Sequence, residues 1–171
     1  MQTPEVAIVL PHREAFSPGS TGALGLLVHR LATCSDHFAP VVIGPPPPTK
    51  PFDDVVFHAA VPGWWPPGNA SRRYGHAVAR RLATTRPALV EVHNRPELAL
   101  FLARRFPHLP VSLFLNNDPQ GMRAARSAAE RKVLLDRLAL VATSSHWLCG
   151  RLLEGVPAPA RPPVVDRKSV V

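Results

Sequence analysis

The sequence predicts an α/β fold: an open, twisted, mostly parallel sheet with helices on both faces. Two observations predict it. Six short apolar runs of β type recur at steady intervals, and amphipathic helical patterns lie between most of them. Continuous apolar runs of this length suit strands covered on both faces. The order βα, β, βα, βα, βα, βα then gives parallel strands joined by right-handed crossovers.

The strands are expected at Val6 to Leu10, Pro40 to Gly44, Val55 to Ala59, Ala88 to Val92, Val111 to Leu115 and Leu138 to Thr143. In the first helix Leu24, Leu27, Val28 and Leu31 share one face. The second starts near Ser71 and carries Tyr74, Val78 and Leu82 as its apolar stripe, with Arg72, Arg73, Arg80 and Arg81 around it. Pro96 suits the first turn of the third, where a missing N–H costs nothing. Ser127 and Glu130 have capping-box spacing for the fourth. A fifth covers Ser145 to Leu153 and stops before Gly155 and Pro157.

Composition narrows the function classes. The chain has 171 residues, 46% apolar and 19% charged, enough for one domain with a real core. Its 21 prolines cluster in "GPPPPTKP", "GWWPPG" and "VPAPARPP", where they punctuate between elements. The net charge of +8 comes from scattered arginine, and no stripe pairs it with stacking aromatics, so nucleic acid is not expected as a partner. Weak attraction to an anionic membrane surface stays open. Cys34 and Cys149 lack metal-type spacing and are expected as buried free thiols. No basic segment followed by a long apolar run opens the chain, and no stretch is apolar for long enough to span a bilayer. The expected location is the cytoplasm, or the periphery of the inner membrane.

In such a sheet ligands bind beyond the carboxyl ends of the strands, so the informative loops follow Leu10, Ala59, Val92 and Leu115. The first, "REAFSPGSTGALGLLVHRLA", places Gly19, Gly22 and Gly25 ahead of a helix. Ser20 and Thr21 are candidate caps, leaving N–H groups at the positive end for a diphosphate; a purely structural turn fits equally well. Gly44 and Pro45 stand where a nicotinamide-binding strand would end in an acid, and no Walker A lysine is present.

His93 and Asn94 tip one strand and Asn116, Asn117 and Asp118 the next, offering the paired donors and acceptors that sugar hydroxyls need. Arg95 joins them as a candidate substrate contact. The bland alternatives are a helix start at His93 and Asn94 and a plain turn at Asn117 and Asp118. Trp64 and Trp65 follow the third strand, facing a ligand, an acceptor lipid or a partner domain, or else roofing the core. The remaining histidines lack ligand spacing, so no metal and no cofactor is expected.

"EAFSPGSTGALGLLVHRLA", "VEVHNRPELALFLARRFP", "LFLNNDPQGMR" and "VATSSHWLCGRLLEG" together resemble the N-terminal domain of family 4 glycosyltransferases, over roughly residues 5 to 157. The resemblance implies a Rossmann-like domain forming one half of a GT-B architecture. It further implies a retaining transferase that moves sugar from a nucleotide-sugar donor to a glycan or lipid-linked acceptor. The N-terminal half would shape the acceptor side, with Gly19, Ser20, Thr21 and Gly22 approaching the donor diphosphate. His93 would stand in the catalytic position near the reacting sugar. Relatives commonly place a histidine before the Asn-Asp pair; here Asn116 occupies that place.

A pair of glutamates separated by seven residues, which the family carries in a second, donor-binding domain, does not occur. The chain is therefore expected to comprise a domain at 1–157, the start of a linker at 158–165 and a non-native tail. "DRKSVV" reads as the in-frame translation of GAT CGG AAG AGC GTC GTG, a stretch of a sequencing-library adapter. Without the C-terminal donor-binding domain, no transfer is expected from these residues alone. The competing readings are a stand-alone Rossmann-like nucleotide- or sugar-binding domain and a nucleotide-dependent enzyme of another class, such as a dehydrogenase.

Overall fold

The computed structural model describes residues 3–34 and 36–165. The proposed adapter-derived tail, Asp166 to Val171, lies outside the described residues.

The strands are β1 (Glu5–Val9), β2 (Ala39–Gly44), β3 (Val56–Ala59), β4 (Leu89–His93), β5 (Val111–Leu115), β6 (Leu140–Thr143) and β7 (Val164–Val165). The helices are α1 (Ala23–Thr33), α2 (Ala70–Thr85), α3 (Pro96–Arg105), α4 (Ala128–Arg137) and α5 (His146–Leu153), with a 3-10 turn at Pro119–Gly121. The sheet order is β3-β2-β1-β4-β5-β6-β7. Pairing is parallel between β1 and β2, β2 and β3, β5 and β6, and β6 and β7. This is the α/β, Rossmann-like fold that the alternation of apolar runs and helical stripes predicts.

The chain divides into two compact units, Met1–Val90 and Glu91–Val171. In the first, Val6, Ile8 and Leu10 pack with Val42, Phe16, Val28 and Ala32 in one buried cluster, with Phe38, Phe52 and Phe57 against it. Phe16 is fully buried, stacked on Phe57 and edge-on to Phe52. In the same unit the buried Tyr74 hydroxyl donates to Leu10 O at 2.7 Å, and desolvation raises its pKa.

In the second unit, Leu113 and Leu115 of β5 are buried, as are Leu102 of α3, Leu134 and Leu135 of α4, and Leu152 of α5. Pro96 opens α3 in its first turn, and Ser127 and Glu130 form the complete capping box of α4. Arg131 is buried, and its guanidinium donates to the carbonyls of Ala125, Arg126, Leu152 and Glu154. A single arginine thereby satisfies two carbonyls at the end of α5 and two just ahead of α4.

Beyond shifts of one residue at strand ends, two segments differ from expectation. The sixth strand starts at Leu140 because Leu138 N still donates to Leu134 O and closes α4. Within the segment expected to begin a linker, Val164 and Val165 pair with Ala142 and Thr143. Two-residue strands carry no periodicity to read. The cysteines also differ: Cys34 is exposed at the end of α1, and Cys149 is half-buried. No helix among the described residues is long and apolar enough to cross a membrane.

Candidate functional site

In the first unit, the loop leaving β1 turns at Glu14, whose N–H donates to Pro11 O, and again at Ser20, whose N–H donates to Ser17 O. Gly19 lies between at φ +75°, a backbone conformation that any Cβ would strain. The N-cap of α1 is Gly22, with no side-chain cap. Ser20 and Thr21 therefore do not cap the helix, contrary to expectation.

Glu14 takes that role from eight residues upstream. Its Oε1 accepts from Gly22 N at 2.9 Å and from Gly25 N at 2.8 Å. A carboxylate at this point neutralises the positive helix end. The close approach also accounts for two of the glycines. A Cβ at Gly22 would lie 2.9 Å from Glu14 Oε1; one at Gly25 would lie 2.9 Å from it and 1.9 Å from Thr21 Oγ1. The N–H groups expected to hold a diphosphate thus hold a carboxylate of the same chain.

Trp64 and Trp65 stand in the loop after β3, 84% and 64% exposed, their rings edge-to-face with centroids 5.9 Å apart. Neither roofs the core.

In the second unit, His93 ends β4 with its ring fully buried. Nε2 meets Glu91 Oε1 at 2.7 Å, and the ring stacks on Phe114 at 5.3 Å. Nδ1 is buried with no partner. With Nε2 engaged by the carboxylate, Nδ1 is the ring nitrogen left for a ligand.

Asn94 follows at φ +51°, a left-handed position that asparagine tolerates. Its N–H donates to Phe114 O, and its Oδ1 accepts from Asn116 N at 2.8 Å. The carbonyl of Asn94 is thus a structural clamp on the next strand end, while Asn116 Nδ2 is buried without a partner. Arg95 is half-buried and donates to Asn94 O.

Asn117 is exposed. Asp118 is committed: Oδ1 accepts from Gln120 N, and Oδ2 pairs with Arg151 at 3.1 Å. Partial burial works against the Asp118 carboxylate, but the Gln120 N–H and the Arg151 guanidinium outweigh it, and its pKa lies below the usual range. Arg151 in turn pairs with Glu154, and Gln120 bridges Arg151 O and Glu154. Asp118 is therefore the cap of the 3-10 turn and its anchor to α5.

Sequence reasoning missed Glu14, Glu91 and Arg151. Glu91 had a signal, being two residues before His93 on one strand and so on the same face. Among the described residues, no three histidine, cysteine or acidic side chains gather as a metal would need.

No known protein family and no curated protein matches the sequence. Solved structures do match in fold. One is a UDP-N-acetylglucosamine 2-epimerase from Rickettsia bellii, at TM-score 0.56 and 14% identity, covering 92% of this chain and 43% of that one. A UDP-GlcNAc 2-epimerase from Methanocaldococcus jannaschii gives 0.48 and 11%, covering 90% and 43%. The C-terminal domain of the coenzyme A biosynthesis bifunctional protein CoaBC gives 0.44 and 14%, covering 76% and 70%. The chain spans less than half the length of either epimerase structure.

Proposed function

We propose that these residues form the acceptor-side half of a retaining glycosyltransferase of the family 4 kind. It would take a nucleotide-sugar donor and a glycan or lipid-linked acceptor, and work with a C-terminal donor-binding domain. No metal or cofactor is assigned. The work would be done in the cytoplasm or at the inner face of the membrane.

The observation that carries this reading is His93. A fully buried imidazole at a strand end, oriented by Glu91 and Phe114, keeps Nδ1 without a partner. Orphaned buried polar atoms are rare in folded proteins and call for an explanation. A sugar hydroxyl hydrogen-bonded to Nδ1 supplies one, and the nearby strand end adds Asn116 Nδ2 as an orphaned donor. Holding a sugar in this way positions it for transfer. A nucleotide-sugar epimerase in the matching fold is in keeping with such a ligand.

The test is a frame extended to include a donor-binding domain, assayed for consumption of UDP- and GDP-sugars. His93→Gln is expected to lower turnover by about 10²-fold. Hydride transfer from a nicotinamide, or turnover indifferent to His93, would sink the reading.

One observation favours a second reading, a sugar- or nucleotide-binding domain without transfer. Glu14 occupies the α1 N–H groups that a donor diphosphate would use. Sugar binding by the 171-residue chain with no turnover in any extended frame would favour it.

A further inference from the structure

The loop from Val61 to Asn69 carries two exposed tryptophans; arginine side chains bond its start and one lies against its end. At its start, Arg81 Nε donates to Ala59 O and Arg80 Nη2 to Val61 O. At its end, a Cβ on Gly68 would lie 3.0 Å from Arg72 Cδ, so the Arg72 stem runs along the loop backbone. Val61 is also exposed. Between Val55 and Val90 the sequence has Arg72, Arg73, Arg80, Arg81 and Arg86 and no aspartate or glutamate. Among the described residues, no α2 arginine enters an ion pair.

Two exposed indoles on a loop anchored by arginines without ion-pair partners among the described residues fit a surface that is apolar within and anionic without. Indole sits at the headgroup level, and arginine gains from anionic lipid within a Debye length. From this juxtaposition we infer that the Trp64–Trp65 loop and the arginines of α2 dock on an anionic lipid surface. Nucleic acid fits less well, because the two rings face each other's edges instead of presenting parallel platforms for bases. The inference extends the membrane-side part of the proposed function. Its test reads binding without transfer, so the two fail separately.

The experiment is sedimentation of the 171-residue chain with phosphatidylcholine vesicles, with and without phosphatidylglycerol. Phosphatidylglycerol should strengthen binding by at least about tenfold, and high salt should remove the gain. Trp64→Ser with Trp65→Ser, and separately Arg72→Gln, should each weaken binding by about tenfold at unchanged melting temperature. In Trp147→Phe protein, where Trp64 and Trp65 are the remaining tryptophans, brominated lipid should quench the tryptophan emission. This last measurement leaves the loop intact. Equal binding to neutral vesicles, no binding, unquenched emission, or tighter binding to single-stranded oligonucleotide through the same tryptophans would each overturn the inference.

Discussion

Glu14 Oε1 lies 2.8 Å from Gly25 N, closing the first turn of α1 with an acid from its own loop. The same oxygen holds Gly22 N, so one side chain satisfies two of the donors that a helix start leaves without partners. Removing it with Glu14→Ala should cost about 1–2 kcal/mol, the range of a lost cap plus a lost favourable charge at the helix end. Thermal melting should then fall by several degrees, and amide exchange at Gly22 and Gly25 should quicken. Unchanged exchange at both amides would show that the carboxylate does not hold them in solution.

Gly25, in the first turn of α1, should be less replaceable than Gly22. Gly25→Ala places a methyl 1.9 Å from Thr21 Oγ1 and 3.1 Å from the Ala15 carbonyl, which is backbone and gives little. Gly22 has an extended conformation open to any residue and meets only the Glu14 carboxylate. Gly25→Ala is therefore expected to destabilise more than Gly22→Ala, by about 1 kcal/mol or more. Equal losses in urea unfolding would contradict this ranking.

The layout of the sheet was legible because apolar runs and 3.6-residue stripes report burial directly, as in "VSLFL" of β5 and the Tyr74, Val78 and Leu82 stripe of α2. Caps were legible where they are local, as with Ser127 and Glu130. Apart from Glu91, two residues from His93, what escaped depends on contacts distant in sequence. Glu14 caps across eight residues, and Asp118 meets Arg151 across thirty-three. Spacing rules stop short of both. The candidate site was legible as positions, His93 and Asn94 at one strand end and Asn116 to Asp118 at the next. Which atoms are spent on the fold, such as Asn94 Oδ1, and which are left over, such as His93 Nδ1, required the structure.

His93 supports the fold as well as the proposed chemistry. A polar side chain at a cleft-facing strand end is expected from sequence to support little core, but this ring is fully buried and stacked on Phe114. His93→Ala should therefore cost about 2 kcal/mol or more from the cavity alone. His93→Gln, which fills more of the space, should cost less. A melting temperature unchanged in His93→Ala would contradict the stacked, buried position.

Acid should weaken the second unit through Asp118. Its pKa is held below the ordinary carboxylate value, so its contribution is present above about pH 4 and is lost as pH falls through the folded-state value. The group is about one-third exposed, and salt screens part of the effect. Melting temperature followed from pH 6 to pH 2 should drop less steeply in Asp118→Asn than in the parent chain. Parallel profiles would place the acid sensitivity elsewhere.

Arg131 should be the most costly arginine to replace among those of α4 and α5. Buried charge is tolerated only when its donors are satisfied, and here four carbonyls, of Ala125, Arg126, Leu152 and Glu154, do so from two separate segments. Removing the guanidinium leaves those carbonyls without their donor and the end of α5 without its cation, whereas the apolar stem can be replaced. Arg131→Met should lose on the order of 3 kcal/mol. Arg131→Lys should recover only part of that, since an ammonium lacks the planar fork that reaches both segments at once. Arg137, exposed at the end of the same helix, provides the control: Arg137→Met should stay within about 0.5 kcal/mol. Urea unfolding of the three variants decides the matter. If Arg131→Lys matches the parent, charge alone holds α5, and the fork geometry is dispensable.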